Sequence, residues 1–489
     1  MGRYEAGLTT GREKVAPGPD NTQALFGVLW ACAHVIHTWH QGPSGFSAQL
    51  SDPWHLLVML TALFVLGRPG SPHRLATLSG MQLLAYAIQF PLVANHWTIA
   101  AFVNAGVLAA YVFQRRRRAA QPDIPPQPLI QGFATYARTC FLLAYGAAAL
   151  AKLNTSFLNP EHSCAIETLS AITDWLSLPG PATAGMAAHG VIWTVTGIEI
   201  AVVLLLLLPQ TRWAGVVVAM VFHLLLAATP VVYVMDFTAY VIALVALFLP
   251  GDVGDQFVEE WERFRKRRPR LARLWSVARR PIALASLGLV MTLAVVGPQL
   301  LGTQSALVLS WGIFFGYGLV AATVIIAATA GIGPSRLRGG VQGPLARRVL
   351  QAMLLSLLLI NAASPYLGGK TTSSFTMFSN LRTETGTTNH LFLPRLPIAS
   401  PQDDLVEIRS SSDDALQQLA NKGILTTYHE LRRHLSANPD VSLSYVRGGI
   451  RHDLDRADEV TDLVQLPYVE AKLFHFRLVD AGQDPACRP

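Results

Sequence analysis

Long runs of apolar residues limit the folds open to this chain more than any other feature of its sequence. Residues Ala201 to Leu208 form an unbroken apolar run, and residues Val216 to Ala228 contain a single polar residue, His223. Charged residues make up only 14% of the chain, against about 25% in an ordinary soluble domain. Such runs are typical of membrane helices, whereas strands of outer-membrane barrels alternate. The sequence therefore predicts a polytopic α-helical integral membrane protein and excludes a soluble globular one.

Apolar segments of roughly 20 residues, the length that crosses a bilayer as a helix, occur about eleven times. They lie near residues 22–40, 53–67, 75–92, 97–114, 130–152, 186–209, 213–229, 231–250, 281–301, 305–330 and 348–366. We therefore predict about eleven spans. The first 20 residues lack an apolar core, so no cleavable signal peptide is expected.

This spacing divides the chain into three parts. We predict an N-terminal segment over residues 1–21, a transmembrane domain over residues 22–366 and a C-terminal domain over residues 367–489. In the last part, apolar alternation over 441–446 and 471–478 indicates strands, and the pattern near 415–435 indicates a helix. The C-terminal domain is therefore predicted to be small and of the α+β class.

The distribution of basic residues predicts the orientation of the spans. Residues 367–489 contain 13 Lys and Arg against 16 Asp and Glu, so the positive excess of the whole chain lies among the apolar segments. There, basic connections such as 115–118 alternate with connections such as 153–185 that contain no Lys or Arg. By the positive-inside rule, the N-terminus is cytoplasmic and the C-terminal domain lies outside the cell membrane. The excess therefore does not indicate nucleic-acid binding.

The four cysteines form no C-x-x-C pair, so they indicate neither a zinc ribbon nor a redox motif. The predicted orientation places Cys164 and Cys487 in the same oxidising compartment. Both a disulfide between them and two free thiols are compatible with the sequence.

Ionisable residues inside membrane spans are costly and are functional candidates. Arg138, Tyr145 and Lys152 follow one another at seven-residue spacing, which places them on one helix face. Either basic group could instead extend to the nearest interface, but a lysine at the outer boundary opposes the charge rule. Hydrocarbon disfavours the charged form of an amine, and a neutral amine can act as a general base. Glu199, in the middle of a span, is a candidate partner for Arg138 or a histidine, or else a protonated structural acid.

Seven histidines fall towards the predicted outer ends of the spans: His34, His37, His40, His55, His96, His189 and His223. Each one alone is typical of an interface or a hydrogen-bonded core residue. Together with Lys152 they predict the lining of an outward-facing polar cavity. His34 and His37 adjoin on a helix and form a possible metal pair. Because the sequence places no carboxylate near them, no metal site is predicted.

The stretch from Arg138 through Tyr145 to Lys152 resembles a span of the vitamin K-dependent γ-glutamyl carboxylases. It also resembles their bacterial relatives, the horizontally transferred transmembrane domain (HTTM) proteins. The resemblance covers roughly residues 20–390. The other matching elements, in the family's order, are Asn95-His96-Trp97, His189-Gly190, Arg212 with Gly215, and Phe222-His223.

The resemblance implies a reaction and a role for each matching residue. Lys152 would deprotonate reduced vitamin K, a naphthoquinol, with His96 acting beside it. Oxygen attack would then give a strong base that removes a γ-proton from peptidyl glutamate, which captures carbon dioxide while the quinone leaves as the epoxide. The implied partners are the lipid bilayer, the quinone and a glutamate-containing peptide or protein. The matching residues expected to bind quinone or substrate are Asn95, Arg138, Tyr145, His189 and His223. Asn380 and Arg382 do not come from the resemblance: they follow the last predicted span and could complete the cavity from outside, and an ordinary surface turn over Arg382–Glu384 is the alternative.

The chain also departs from the family. The sequence Ala151-Lys152-Leu153-Asn154 stands where vertebrate members have a Lys-Lys pair before Leu-Asp-x-x-Trp. Phe378-Ser379-Asn380 stands in place of an aromatic-Ser-Trp element, and the C-terminal part is much shorter. A non-carboxylating relative is therefore the alternative, acting in exported-peptide maturation or immunity or in lipid or solute binding. A transporter is the least favoured of the three hypotheses, because many transporters contain internal repeats and none is visible here.

Overall fold

The computed structural model describes residues 21–40, 52–123, 127–230, 234–251, 253–270, 273, 303–329, 344–482 and 487. The chain is mostly helical, with a small antiparallel sheet near its C-terminus. The helices of the N-terminal part are α1 (Asn21–His40), α2 (Pro53–Leu66), α3 (Pro72–Gln89), α4 (Asn95–Ala120), α5 (Leu129–Ala151), α6 (Thr155–Leu158), α7 (Cys164–Trp175), α8 (Gly185–Leu207), α9 (Arg212–Leu226), α10 (Met235–Val245), α11 (Val253–Arg267), α12 (Thr303–Thr329) and α13 (Leu345–Ala363). A 3₁₀ turn, Ala246–Phe248, extends α10.

Ten of the eleven predicted spans coincide with helices, and the remaining segment, 281–301, lies outside the described residues. By length and composition, four described helices can cross a membrane: α4, α8, α13 and the part of α12 over Val308–Ala327. A fifth span results if Met235–Phe248 and Val253–Glu259, which meet at 95°, form one broken span. The helices are thus confirmed, whereas the number of eleven spans stays a prediction.

Two helices expose large apolar surfaces. Leu357, Leu359 and Ile360 on α13 and Leu204 and Leu207 on α8 are each more than half exposed. Water disfavours contiguous apolar patches of this kind, and hydrocarbon does not. These helices therefore indicate that the protein associates with a membrane.

The interior of the helical part forms where α1 packs against α2 and α10, and where α4 packs between α3 and α5. Trp30 on α1, Trp97 on α4 and Tyr240 on α10 are almost fully buried there. On the other side of α5 lies α8, which also contacts α9. This arrangement turns polar residues of α1, α4, α5, α8, α9 and α10 towards the protein interior.

The C-terminal part contains one five-stranded antiparallel sheet in the order β4-β3-β1-β2-β5. Its strands are β1 (Leu405–Ser411), β2 (Ile424–Thr427), β3 (Leu443–Arg447), β4 (Ile450–Leu454) and β5 (Val479–Asp480), and its helices are α14 (Asp414–Lys422), α15 (Tyr428–Ala437), α16 (Thr461–Val464) and α17 (Tyr468–Leu473). The β3–β4 hairpin turns through Gly448 and Gly449, both with positive φ, as a two-residue hairpin requires. A separate apolar core lies between this sheet and its helices.

Two details of this part differ from the sequence predictions. The prediction of one helix near 415–435 is wrong, because two helices occupy this stretch. Gly423 takes a left-handed conformation that ends α14, and Thr427 caps the start of α15. The prediction of a strand over 471–478 is also wrong, since α17 covers the first residues of this stretch and β5 begins only at Val479.

Residues of the C-terminal part lie across the ends of α3, α4 and α5. The backbone N–H of Leu391 donates to the carbonyl of Leu153, directly after α5 (2.9 Å). The Nζ of Lys472 donates to the carbonyls of Ile88 and Phe90 (2.7 Å each), which lie at the end of α3. These bonds satisfy carbonyls that a helix end leaves without intrahelical partners. A disulfide between Cys164 and Cys487 joins α7 to the C-terminus and resolves the alternative left open by the sequence.

An ion pair between the buried Glu384 and the partly buried Arg477 holds residues 381–384 against the segment that precedes β5. Glu384 is 1% exposed, and its two carboxylate oxygens accept from the Nε and Nη2 of Arg477 at 2.9 and 3.1 Å. Burial by itself would raise the pKa of Glu384. The charge and hydrogen bonds of Arg477 outweigh burial and hold this pKa below its usual value.

We expect Arg477→Leu to lower the free energy of unfolding by about 3 to 5 kcal/mol at neutral pH, because Glu384 would remain buried without its cation. The measurement is the denaturant midpoint of the full-length protein in detergent. The double variant Arg477→Leu/Glu384→Gln should recover part of the loss.

The pair stabilises the fold at pH values above the usual carboxyl pKa. This contribution should disappear as the pH falls through the lowered pKa of Glu384. A double variant no more stable than the single one would contradict this account.

Lys370 is a second buried charge in the segment that follows α13. It is 4% exposed, and its Nζ has no hydrogen-bond partner within the described part of the chain. The amine lies 4.7 Å from the centre of the Phe90 ring, a cation–π contact that replaces only part of its lost hydration. Burial lowers the pKa of Lys370 from 10.5 to about 8.

We expect Lys370→Met to stabilise the protein at neutral pH by up to about 3 kcal/mol, since it removes the cost of burying the ammonium group. In the wild type, the unfolded chain binds more protons at this site between pH 8 and pH 10.5, so stability should rise with pH across that interval. The variant should lack this rise. Denaturant midpoints of both proteins across the interval provide the measurement, and parallel curves would contradict the prediction.

Candidate functional site

The three polar residues predicted to share one face of α5 are all buried. Their partners differ. Arg138 donates from Nε to the carbonyl of Leu247 (2.6 Å), in the 3₁₀ turn after α10. Arg138 therefore satisfies a backbone acceptor at a helix end.

Lys152, at the C-terminal end of α5, pairs with Glu199 in the middle of α8. Its Nζ lies 2.9 Å from the Oε2 of Glu199, and both residues are buried. Glu199 was a candidate partner for Arg138 or a histidine, and the structure pairs it with the lysine instead. Polar residues seven positions apart on α5 thus contact different neighbouring helices.

Tyr145 and His223 lie beside this pair, since Tyr145 interacts electrostatically with Glu199, and His223 with Lys152. The Tyr145 hydroxyl lies 3.2 Å from the Nε2 of His223 on α9. The other ring nitrogen of His223, Nδ1, is buried and finds no partner among the described residues. We call Lys152, Glu199, Tyr145 and His223 the lysine cluster.

Aromatic rings surround the lysine cluster. Phe141 lies 5.2 Å from the ring of Tyr145, and Phe222 and Phe237 lie 5.4 and 5.2 Å from that of His223. The cluster therefore combines an acid–base pair and an imidazole with apolar walls. In such surroundings charge interactions are stronger than in water.

A second polar cluster joins α1, α4 and α10. The Nδ1 of His37 lies 2.8 Å from the Nε2 of His96, and the Oδ2 of Asp236 lies 3.0 Å from His96 and 3.5 Å from His37. All three residues are buried. We call them the histidine cluster. Asp236 was not among the predicted site residues, although an acidic residue inside an apolar segment is the same signal that pointed to Glu199.

Phe237 lies between the two clusters. Its ring centre lies 5.2 Å from that of His223 and 6.2 Å from that of His96. Lys152 and His96, the two residues expected to act together, thus belong to two clusters that both contact one aromatic ring.

Several of the histidines predicted to line one cavity lie close together. His34, His55 and His96 all lie near His37 or Trp97, with ring centres 4.8 to 5.9 Å from one of those two rings. His189 lies apart from them, because it is exposed on α8 and its Nδ1 contacts the Gly185 carbonyl of its own helix. The side chain of His40 lies outside the described residues.

Three residues expected to bind quinone or substrate join parts of the chain instead. The Oδ1 of Asn95 accepts from the backbone N–H of Phe375 (2.7 Å), and the Oδ1 of Asn380 accepts from that of Cys164 (2.8 Å). Arg382 donates from Nη1 to the carbonyl of Gly482 (2.5 Å). Phe375 and Asn380 both have positive φ, which is costly for residues other than glycine. These contacts therefore fix a strained segment over the ends of α4 and α5.

No protein-family model, curated protein or solved structure matches this chain. What the chain does is therefore inferred from the geometry of the two clusters.

We expect Lys152→Met to lower the free energy of unfolding by about 3 to 5 kcal/mol, because Glu199 would remain buried without its cation. The double variant Lys152→Met/Glu199→Gln should restore most of the loss, since it leaves neither charge. Denaturant midpoints of the three proteins in detergent measure the coupling. Additive losses in the double variant would show that the pair does not stabilise the fold.

Proposed function

We propose that this chain is a membrane-embedded enzyme that deprotonates a reduced naphthoquinone at the lysine cluster. Its activity would be similar to that of the vitamin K-dependent γ-glutamyl carboxylases. The observation that supports this most directly is the buried Lys152–Glu199 pair, 2.9 Å apart, beside the Tyr145–His223 contact. Ionisable groups placed in apolar surroundings with matched partners are typical of acid–base sites.

The residues of the lysine cluster fit a flat aromatic diol. Phe141, Phe222 and Phe237 provide apolar ring surfaces around His223 and Tyr145. The Nδ1 of His223, which has no partner among the described residues, provides a buried polar atom for a hydroxyl group. A site with a few polar groups on apolar walls binds and orients a small aromatic molecule.

The ion pair divides the acid–base work between two residues. With Lys152 as ammonium and Glu199 as carboxylate, the carboxylate accepts the proton from a substrate hydroxyl. The ammonium then stays beside the negative charge that develops on the substrate oxygen. The net charge of the buried site does not change, which avoids the cost of creating an isolated charge in a low-dielectric medium. In this assignment the base is the Lys152–Glu199 pair, whereas the sequence predicts that the lysine alone is the base.

The bound quinol would supply the reducing equivalents for reaction with oxygen, and the resemblance extends this to carbon dioxide capture by a glutamate-containing peptide or protein. The loop charges support an extracytoplasmic position for the lysine end of α5. Contacts between residues 389–391 and that same end would put the C-terminal part on the same side. A peptide acceptor would then reach the site from outside.

The test is turnover of reduced vitamin K by full-length protein in nanodiscs, read as epoxide formed above the non-enzymatic background. We expect Lys152→Met/Glu199→Gln to lower epoxide formation by at least about 100-fold, the usual contribution of general acid–base catalysis. The double variant is preferred because it avoids an unpaired buried charge. Lys370→Met, which removes a buried lysine outside the cluster, is the matched control and should keep full activity.

Epoxide formation that survives in the double variant would refute the proposal. A folded wild type that forms no epoxide from several quinols would also refute it, and would favour a non-carboxylating peptide-maturation or binding protein. If epoxide forms, incorporation of labelled carbon dioxide into glutamate peptides tests the second half of the reaction.

A further inference from the structure

Three donor atoms converge on one point in the histidine cluster. The Nδ1 of His37, the Nε2 of His96 and the Oδ2 of Asp236 are separated by 2.8, 3.0 and 3.5 Å. Bonds from zinc to imidazole nitrogen and carboxylate oxygen are usually about 2.0 to 2.1 Å long. An ion at that distance from all three atoms would lie slightly off the plane that they define.

Hydrogen bonds satisfy this triangle only in part. If His37 donates to His96, the lone pair of the His96 nitrogen faces a carboxylate oxygen at 3.0 Å. If both rings donate to Asp236, two N–H donors lie 2.8 Å apart. If only His96 donates, its single N–H is shared between the His37 nitrogen and the carboxylate. A cation bound to all three atoms would instead engage a lone pair of each.

The surroundings orient the three donors towards one another. The Oδ1 of Asp236 accepts from the backbone N–H of Phe237 (2.7 Å), which turns Oδ2 towards the histidines. The His37 ring stacks on Trp97, with ring centres 4.1 Å apart, and the His96 ring stacks on Tyr240 at 5.6 Å. Supporting contacts of this kind fix the rings that coordinate a metal.

We propose that His37, His96 and Asp236 bind a divalent transition-metal ion. Two imidazole nitrogens and one carboxylate oxygen are ligands of Zn²⁺ and Fe²⁺ rather than of Mg²⁺ or Ca²⁺. Three protein ligands leave at least one coordination position open, as in catalytic rather than structural sites. This site is separate from the lysine cluster, and the proposal does not depend on the function assigned to that cluster.

The test uses full-length protein in detergent, treated with a chelator, freed of it, and titrated with Co²⁺. The visible absorption of bound Co²⁺ reports coordination number and stoichiometry without any enzymatic assay. We expect the wild type to bind one Co²⁺ per chain with the intense absorption of a four- or five-coordinate ion, and Zn²⁺ to displace it. Asp236→Asn should weaken binding by at least about tenfold.

His34→Gln is the matched control, because His34 is also buried on α1 but contacts the Trp30 carbonyl through its Nδ1. It should bind Co²⁺ as the wild type does. Cu²⁺-loaded wild type should show nitrogen couplings from imidazole in its electron paramagnetic resonance spectrum, a readout that needs no variant. Wild-type protein without Co²⁺ absorption, or equal affinities in wild type and Asp236→Asn, would overturn the proposal.

Discussion

The cost of placing ionisable groups among apolar helices shapes the interior of this protein. A charge in such surroundings needs a partner on a neighbouring helix, because water does not supply one. Lys152 finds Glu199, His96 finds Asp236, and Arg138 finds a backbone carbonyl. Each of these contacts also fixes the packing of two helices. The polar residues thus specify which helices become neighbours, while the apolar residues specify only that they are buried.

The C-terminal part adds a second constraint, because it holds the ends of the helices in place. Lys472 binds the end of α3, Asn95 at the start of α4 binds the backbone of Phe375, and residues 389–391 pair with the end of α5. The disulfide ties the C-terminus to α7. The strained conformations of Phe375 and Asn380 persist because these contacts over-determine that segment. The segment is therefore a structural part of the site region and not a separate appendage.

The positions of the helices could be predicted from the sequence, because apolar length alone determines where a buried helix runs. The faces of those helices could be predicted only where polar residues recur at helical spacing, as Arg138, Tyr145 and Lys152 do on α5. His189 resembled a site residue by its order in the chain, but α8 turns it outwards. Asp236 was missed because a partner was sought near His34 and His37 in sequence, whereas the carboxylate comes from a distant helix. The boundary between α14 and α15 could have been predicted, since Gly423 and Thr427 carry the usual signals of a helix end and a helix start.

The first turn of α10 has a consequence for both clusters. Asp236 directs its carboxylate to His96, while the next residue, Phe237, places its ring against His223. A single peptide unit thus joins a ligand atom of one cluster to a wall of the other. Any displacement of that turn moves both together, so the geometry of the two clusters changes as one mechanical unit.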